Sequence, residues 1–226
     1  MLRIVEDTKN DFLQFSHIVQ GKLRIGASLT IGEYYLPTRL GEFHKQYPGL
    51  ELELIIENTQ KICERMNRYE VDIALVEGRV VSGNLEIHPF YKDHLVLVVP
   101  REAEGLIGKN SFEELQHQTW ISREEGSGTR EYLEDFLMRN QIQAKNVMVF
   151  GSNYSIKEAV KNKLGVTLIS SLVVEEAIEK KDLLKVVTEQ ESSRHFSYLL
   201  KKGIVPSKAV EVFIEFLTSE KKINFN

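Results

Sequence analysis

Cysteine is almost missing from this chain: Cys63 stands alone in 226 residues, so no internal disulfide can form. A reducing compartment is the simpler setting for such a chain. Basic excess is missing too, since 29 Lys and Arg face 33 Asp and Glu for a formal charge of −4. Phosphate neutralisation supplies most of the affinity of a nucleic-acid-binding module, and that calls for a basic face. DNA contact by these residues alone is therefore not expected. Nor does any apolar run approach the roughly 18–20 residues of a membrane span. Residues 1–20 hold Arg3, Glu6, Asp7, Lys9, Asn10 and Asp11, which leaves no apolar core for a signal peptide. The expected location is the cytoplasm, with no membrane partner.

Signatures of catalysis are equally scarce. His17, His44, His88, His94, His117 and His195 are scattered without metal-ligand spacing. No G-x-S-x-G elbow occurs. Gly108-Lys109 is followed by Asn110, so it fails as a nucleotide-binding loop, and Gly126–Thr129 lacks the required lysine. Glu124 and Glu125 are adjacent carboxylates that point apart on a strand end and read as solvated charge. Cys63 lies in a charged helix with no evident base and reads as structural. Trp120, on an apolar strand, reads as core. The expectation is a protein that is not an enzyme and needs neither cofactor nor metal.

What is present is an ordinary globular composition, 42% hydrophobic and 27% charged, long enough for two lobes. Met1–Gln20 has approximate helical periodicity and stops at Gly21. Strands are then expected over 23–28, 50–56, 72–76 and 95–99, with helices over 31–47 and 59–69 between them. Pro48-Gly49 ends the first helix and Pro100 the last of these strands. The grammar restarts with strands over 119–122, 146–150 and 166–169 and helices over 129–140, 155–163 and 172–180. Strands over 183–187 and 196–201 and an amphipathic helix over 208–220 close the chain. Alternation with short connections implies parallel strands joined by crossovers, and its double occurrence predicts two similar α/β lobes. Such folds hold small ligands in the cleft at the carboxyl ends of their strands.

Three strand-to-helix junctions carry hydroxyls suited to that task. The most informative is Ser122-Arg123-Glu124-Glu125-Gly126-Ser127-Gly128-Thr129-Arg130. Its glycines let consecutive N–H groups converge, Ser127 and Thr129 can donate, and the following helix offers its positive end to an anion. Arg130 sits in the first turn, where the dipole disfavours a cation unless an anion is bound. An ordinary N-cap explains Ser127 or Thr129 equally well. Ser28 and Thr30 in Gly26-Ala27-Ser28-Leu29-Thr30, and Ser152 and Asn153 after Gly151, are also good caps, and capping is the plainer reading of each alone. Facing one another across a cleft, the three would form a cage of neutral donors for a small anion.

These residues also resemble a known family. Gly21-Lys22-Leu23-Arg24-Ile25-Gly26-Ala27-Ser28, then Tyr35-Leu36-Pro37, Phe43 and Tyr47-Pro48-Gly49, resemble the opening of the effector-binding domain of LysR-type transcriptional regulators. Asp72-Ile73-Ala74-Leu75-Val76, the 123–130 loop, Val160, Gly165 and Val166 fit later segments, although Lys161-Asn162-Lys163-Leu164 replaces the small residues common there. The resemblance covers residues 1–220 or so and implies the periplasmic-binding-protein type II fold: two Rossmann-like lobes around a ligand cleft. It implies a linker-helix remnant over 1–20, lobe I over 22–97 plus 195–226, and lobe II over 98–194. The winged helix-turn-helix would precede Met1, and DNA would be reached only through it.

Effector contacts carried over are Ser28 and Thr30, with Ser127, Gly128 and Thr129; Arg130, Ser152 and Asn153 transfer more loosely. Glu77 stands where the family often has a small or polar residue, and a carboxylate there repels an anion or favours an ammonium group on the ligand. The implied function is a homodimeric sensor of a small anionic or zwitterionic metabolite that controls transcription. The alternatives are a periplasmic-type solute receptor of a transporter and an enzyme on the same fold; the latter lacks a convincing acid–base pair.

Overall fold

The computed structural model describes residues 19–80, 83–107, 114–187 and 192–219. The helix expected over 1–20 lies outside them except for Val19 and Gln20, as do His17, Gly108, Lys109 and Glu220.

Strand β1 (Gly21–Ser28) alternates, sending Leu23, Ile25 and Ala27 into one apolar cluster while Arg24 and Ser28 face the other side. A π turn (Ile31–Tyr35) runs straight into helix α1 (Leu36–Gln46), and Pro37, which has no N–H to give the helical ladder, follows that turn directly. Strand β2 (Leu50–Glu57) returns parallel to β1. Helix α2 (Thr59–Asn67) is capped by Asn58, whose Oδ1 accepts from the Lys61 amide at 3.0 Å. Strand β3 (Ile73–Glu77) is buried throughout, as a central strand covered on both faces must be.

Strand β4 (Leu85–Pro100) is far longer than the segment expected over 95–99. Its first half contains Pro89, which breaks an apolar pattern; the register slips between Pro89 and Tyr91 in a bulge that absorbs it. A 3₁₀ segment (Arg101–Ile107) leads onward to β5 (Thr119–Arg123), helix α3 (Gly128–Arg139), β6 (Asn146–Phe150), α4 (Asn153–Lys161), β7 (Thr167–Ser170), α5 (Ser171–Glu179) and β8 (Leu183–Val186). Strand β9 (Ser192–Lys201) and helix α6 (Lys208–Ser219) complete the described chain.

Among the described residues the pairing gives one seven-stranded sheet, β2-β1-β3-β9-β4-β7 with β8 on β4, and a two-stranded β5-β6, and together they form two halves with one plan. In the first, β1 lies parallel between β2 and β3, and β9 adds antiparallel beyond β3. In the second, β5 pairs parallel with β6, a parallel bridge from Trp120 to Val166 joins it to the approach of β7, and β4 adds antiparallel beyond β7. The strands β4 and β9 run alongside each other from Leu85↔Lys201 to Leu95↔Ser192, so they link both halves. Each half has apolar clusters on both faces of its sheet. Phe43, Phe196 and Phe213 fill one face of the first, with Ile62 and Val76 on the other. Trp120 and Phe136 fill one face of the second, with Ile156 and Val174 on the other. Burial of aromatic and aliphatic side chains on this scale supplies the main driving force for each lobe.

Candidate functional site

The carboxyl ends of β1 and β3 in one lobe face the amino ends of α3 and α4 in the other. Contact there is backbone to backbone. A Cβ on Gly128 would stand 2.2 Å from the Glu77 carbonyl oxygen, and one on Gly78 would stand 2.6 Å from the Gly128 Cα. Gly78 (φ 96°) and Gly126 (φ 83°) also occupy the left-handed region that side chains avoid. Glycine at 128 is thus what allows the lobes to close this far.

Hydrogen bonds sew the closure. The Gln60 amide donates to the Gly126 carbonyl at 3.1 Å. Asn58 Nδ2 donates to Glu124 Oε1 at 3.2 Å and to the Glu125 carbonyl at 3.3 Å. Outside the cleft, the Arg79 amide donates to Glu131 Oε2 at 2.9 Å and its guanidinium to Asp135 at 2.6 Å. Tyr34 leans from the first lobe onto the core of the second, and burial lifts its hydroxyl to about 12.

At the centre lies a fully buried polar cluster. The Ser28 hydroxyl donates to Glu77 Oε2, and Thr30 Oγ1 donates to Glu77 Oε1 at 3.3 Å. Thr30 Oγ1 in turn accepts from Asn153 Nδ2 at 3.1 Å and from Arg194 Nη2 at 3.2 Å. Arg194 Nη1 donates to Thr129 Oγ1 at 2.9 Å, and its Nε to Asp93 Oδ2 at 2.7 Å. Asp93 also accepts from the Ser170 hydroxyl at 2.7 Å. The guanidinium lies over the rings of Tyr132 and Phe196, 5.9 and 5.6 Å from their centroids. One arginine therefore touches both lobes and both linking strands.

The flanking pair is Arg123 with Glu124. Arg123 Nε and Nη2 grip the two Glu124 oxygens at 2.8 Å each, and Nη1 donates to Asn153 Oδ1 at 2.9 Å. Burial works against the Glu124 charge, yet the Arg123 bonds and charge hold its carboxyl below the usual range. Glu124 is thus an inter-lobe clamp, which corrects its reading as solvated charge. Glu77 shifts the other way. Burial pushes its carboxyl up, and the positive charges of Arg194 and Arg123 only partly offset this.

Of the residues singled out from sequence, Ser28, Thr30, Thr129 and Asn153 are buried within this cluster, and Gly128 forms the contact beside it. Ser127 is buried and opens α3 in an extended conformation, with no side-chain cap bond. Arg130 and Ser152 are not brought in. Arg130 pairs with Glu134 at 2.7 Å along the outer side of α3, and Ser152 caps α4 by accepting from the Ser155 amide at 3.1 Å. Arg194 and Asp93 were not among the residues expected from the sequence. Their signal was faint: a charge embedded in Phe90-Tyr91-Lys92-Asp93-His94 beside an apolar strand, and an arginine in a polar run resembling a loop. Among the described residues, no group of His, Cys, Asp and Glu is placed to hold a metal, and no helix is long and apolar enough to cross a membrane.

The sequence profile described as the LysR substrate binding domain matches residues 17–222. The chain belongs to that family. This LysR substrate binding domain is 36% identical over 222 residues to the HTH-type transcriptional regulator CysL of Bacillus subtilis (strain 168), covering 97% of the chain and 74% of that protein. It is 33% identical over 166 residues to the HTH-type transcriptional regulator YeiE of Escherichia coli (strain K12), covering 74% of the chain and 57% of the relative. The Synechocystis PCC6803 CcmR regulatory domain, solved in complex with 2-PG, superposes with a TM-score of 0.79 at 28% identity, covering 90% of this chain and 99% of that one. The fold is accordingly the two-lobed α/β arrangement of type II periplasmic binding proteins, and the relatives are transcriptional regulators rather than enzymes.

Proposed function

We propose that this domain senses a small anionic or zwitterionic metabolite held between its lobes, and that occupancy of the cleft controls transcription. The observation that carries the reading is Arg194, which bonds Thr30 of one lobe and Thr129 of the other, so a guest in the cleft competes with contacts that hold the lobes together. A ligand acts this way only through unequal affinity for the two lobe arrangements. The ligand groups are Ser28 and Thr30 on one side, with Ser127, Gly128, Thr129 and Asn153 on the other. Arg194 is added to them, while Arg130, paired with Glu134, and Ser152, capping α4, are left out.

The lobes are residues 22–97 with 195–226, and 98–194, joined through the paired strands β4 and β9. The domain works in the cytoplasm as a homodimer without catalysis. Support for pairing comes from edge strand β6, whose Val147 and Val149 are 53% and 56% exposed. DNA contact belongs to a helix-turn-helix domain, as the HTH-type names of the relatives suggest.

The test is a thermal-shift screen of small carboxylates, phosphate esters and amino-acid derivatives on the wild type and on a Ser28→Ala, Thr30→Ala, Ser127→Ala, Thr129→Ala variant. Metabolites that raise the wild-type midpoint should leave the fourfold variant unmoved, with its circular dichroism intact. An equal shift in both proteins would place the ligand elsewhere.

A further inference from the structure

The charges in the cleft are not evenly partnered. Asp93 is taken by Arg194 Nε at 2.7 Å and Glu124 by Arg123 at 2.8 Å, but among the described residues the Glu77 carboxylate bonds only the hydroxyls of Ser28 and Thr30, and Arg194 Nη1 stands 4.0 Å away. A carboxylate offers about four lone-pair positions, so Glu77 keeps acceptor capacity beyond the protons of Ser28 and Thr30. The opposite wall has the reverse need. Thr129 Oγ1 accepts from Arg194 Nη1, which leaves its own proton to donate, and the α3 amides offer further N–H groups beside it. Arg194 Nη1 and Nη2 each use one hydrogen in these bonds and keep a second. One wall therefore asks for a donor and the other for an acceptor.

We infer that Glu77 makes the cleft selective for anions that carry a hydrogen-bond donor of their own, such as hydrogen phosphate or an α-hydroxy carboxylate, against anions of the same shape that carry none. The inference rests on the cleft being the ligand site, and it narrows the ligand to a class. A fully deprotonated oxyanion would set oxygen against the Glu77 oxygens in a buried site, leaving two acceptors with no proton between them and adding like-charge repulsion. Phosphate near neutral pH keeps a proton to donate, whereas sulfate, of nearly equal size, has none. A site built to bond a ligand's hydroxyl discriminates steeply against the analogue lacking it.

The experiment is isothermal titration of the whole chain with phosphate and with sulfate, and in a second arm with glycolate and with acetate. The arms separate an inorganic from an organic source of the same donor-bearing anion. Wild type is expected to bind the donor-bearing member of at least one pair about 100-fold more tightly. Glu77→Gln presents an amide N–H as well as an oxygen and should bring the ratio within about tenfold by admitting the bare anion. Sulfate binding by Glu77→Gln with neither anion bound by wild type also supports the inference. Equal or tighter binding of sulfate and acetate by wild type overturns it, as does silence of both proteins toward all four anions.

Should Glu77→Gln fail to fold, sulfate binding by wild type against pH replaces it. Facing Glu77 are Ser28, Thr30, the guanidinium groups of Arg194 and Arg123, and Asp93. Sulfate affinity should rise as acid protonates Glu77, and a flat profile counts against the idea. Failure of the cleft as the ligand site would show separately, as a metabolite-induced thermal shift that survives the fourfold hydroxyl variant.

Discussion

Replacing Asp93 by alanine perturbs the junction of the two lobes at its most buried ion pair. Asp93 is 1% exposed, lies opposite Arg194 where β4 and β9 run together, and accepts from both Arg194 Nε and the Ser170 hydroxyl at 2.7 Å. Removing it strands a guanidinium that is itself 1% exposed, with Glu77 4.0 Å off as the nearest other carboxylate the geometry offers. Breaking a buried pair from one side costs about 3–5 kcal/mol, because the remaining charge has left water without compensation. For a chain of this size each kcal/mol lowers the midpoint by about 2–4 °C, so the expected loss is about 6–20 °C. Urea denaturation followed by circular dichroism measures the free energy directly. Adding Arg194→Met to Asp93→Ala should recover part of the loss, since both charges are then gone. A loss under about 1 kcal/mol for Asp93→Ala, or no recovery in the double variant, would show that the pair is not a buried one, because values that small belong to solvated pairs.

Other perturbations test neighbouring parts of the account. Gly128→Ala puts a Cβ 2.2 Å from a carbonyl oxygen that no rotamer change can move. An overpacking cost of about 1–3 kcal/mol should then fall on the closed arrangement, seen as a larger radius of gyration and faster exchange of the Gln60 amide. An unchanged scattering profile would mean that the lobes tolerate the contact. Glu77→Gln tests the buried carboxylate by its pH dependence. The folded state raises the Glu77 value, so its contribution is fully present below the ordinary carboxylate range and is lost as pH rises through the raised value. At about pH 7.5 the variant should therefore outlast wild type in urea, and the gap should close towards about pH 4. A variant less stable than wild type at the higher pH contradicts that sign.

Much of the fold was legible because its signals are local. The short-range alternation of strand and helix segments, Pro48-Gly49 after α1 and Pro100 at the end of β4 each act within a few residues. The first half of β4 was not legible, since Pro89 argues against a strand and only pairing with β9 across about a hundred residues, plus a bulge, overrides it. Strand β9 begins with Ser192, Ser193, Arg194 and His195, a polar opening that reads as loop until Asp93 and Thr129 are seen to receive Arg194. The site divides in the same way. Hydroxyls at strand-to-helix junctions could be read from sequence because the junction itself announces a helix N-terminus. Their partners could not, since Asp93 and Arg194 come from segments that meet only through the tertiary fold. Arg130 looked aimed at the cleft by adjacency, but helical geometry turns it towards Glu134 four residues on.

Native mass spectrometry of the domain purified gently from cells tests the central idea most directly. A small, non-covalent adduct is expected on the wild type and should disappear in the Ser28, Thr30, Ser127, Thr129 fourfold variant while the charge-state distribution stays that of a folded protein. An adduct carried equally by both proteins would contradict it.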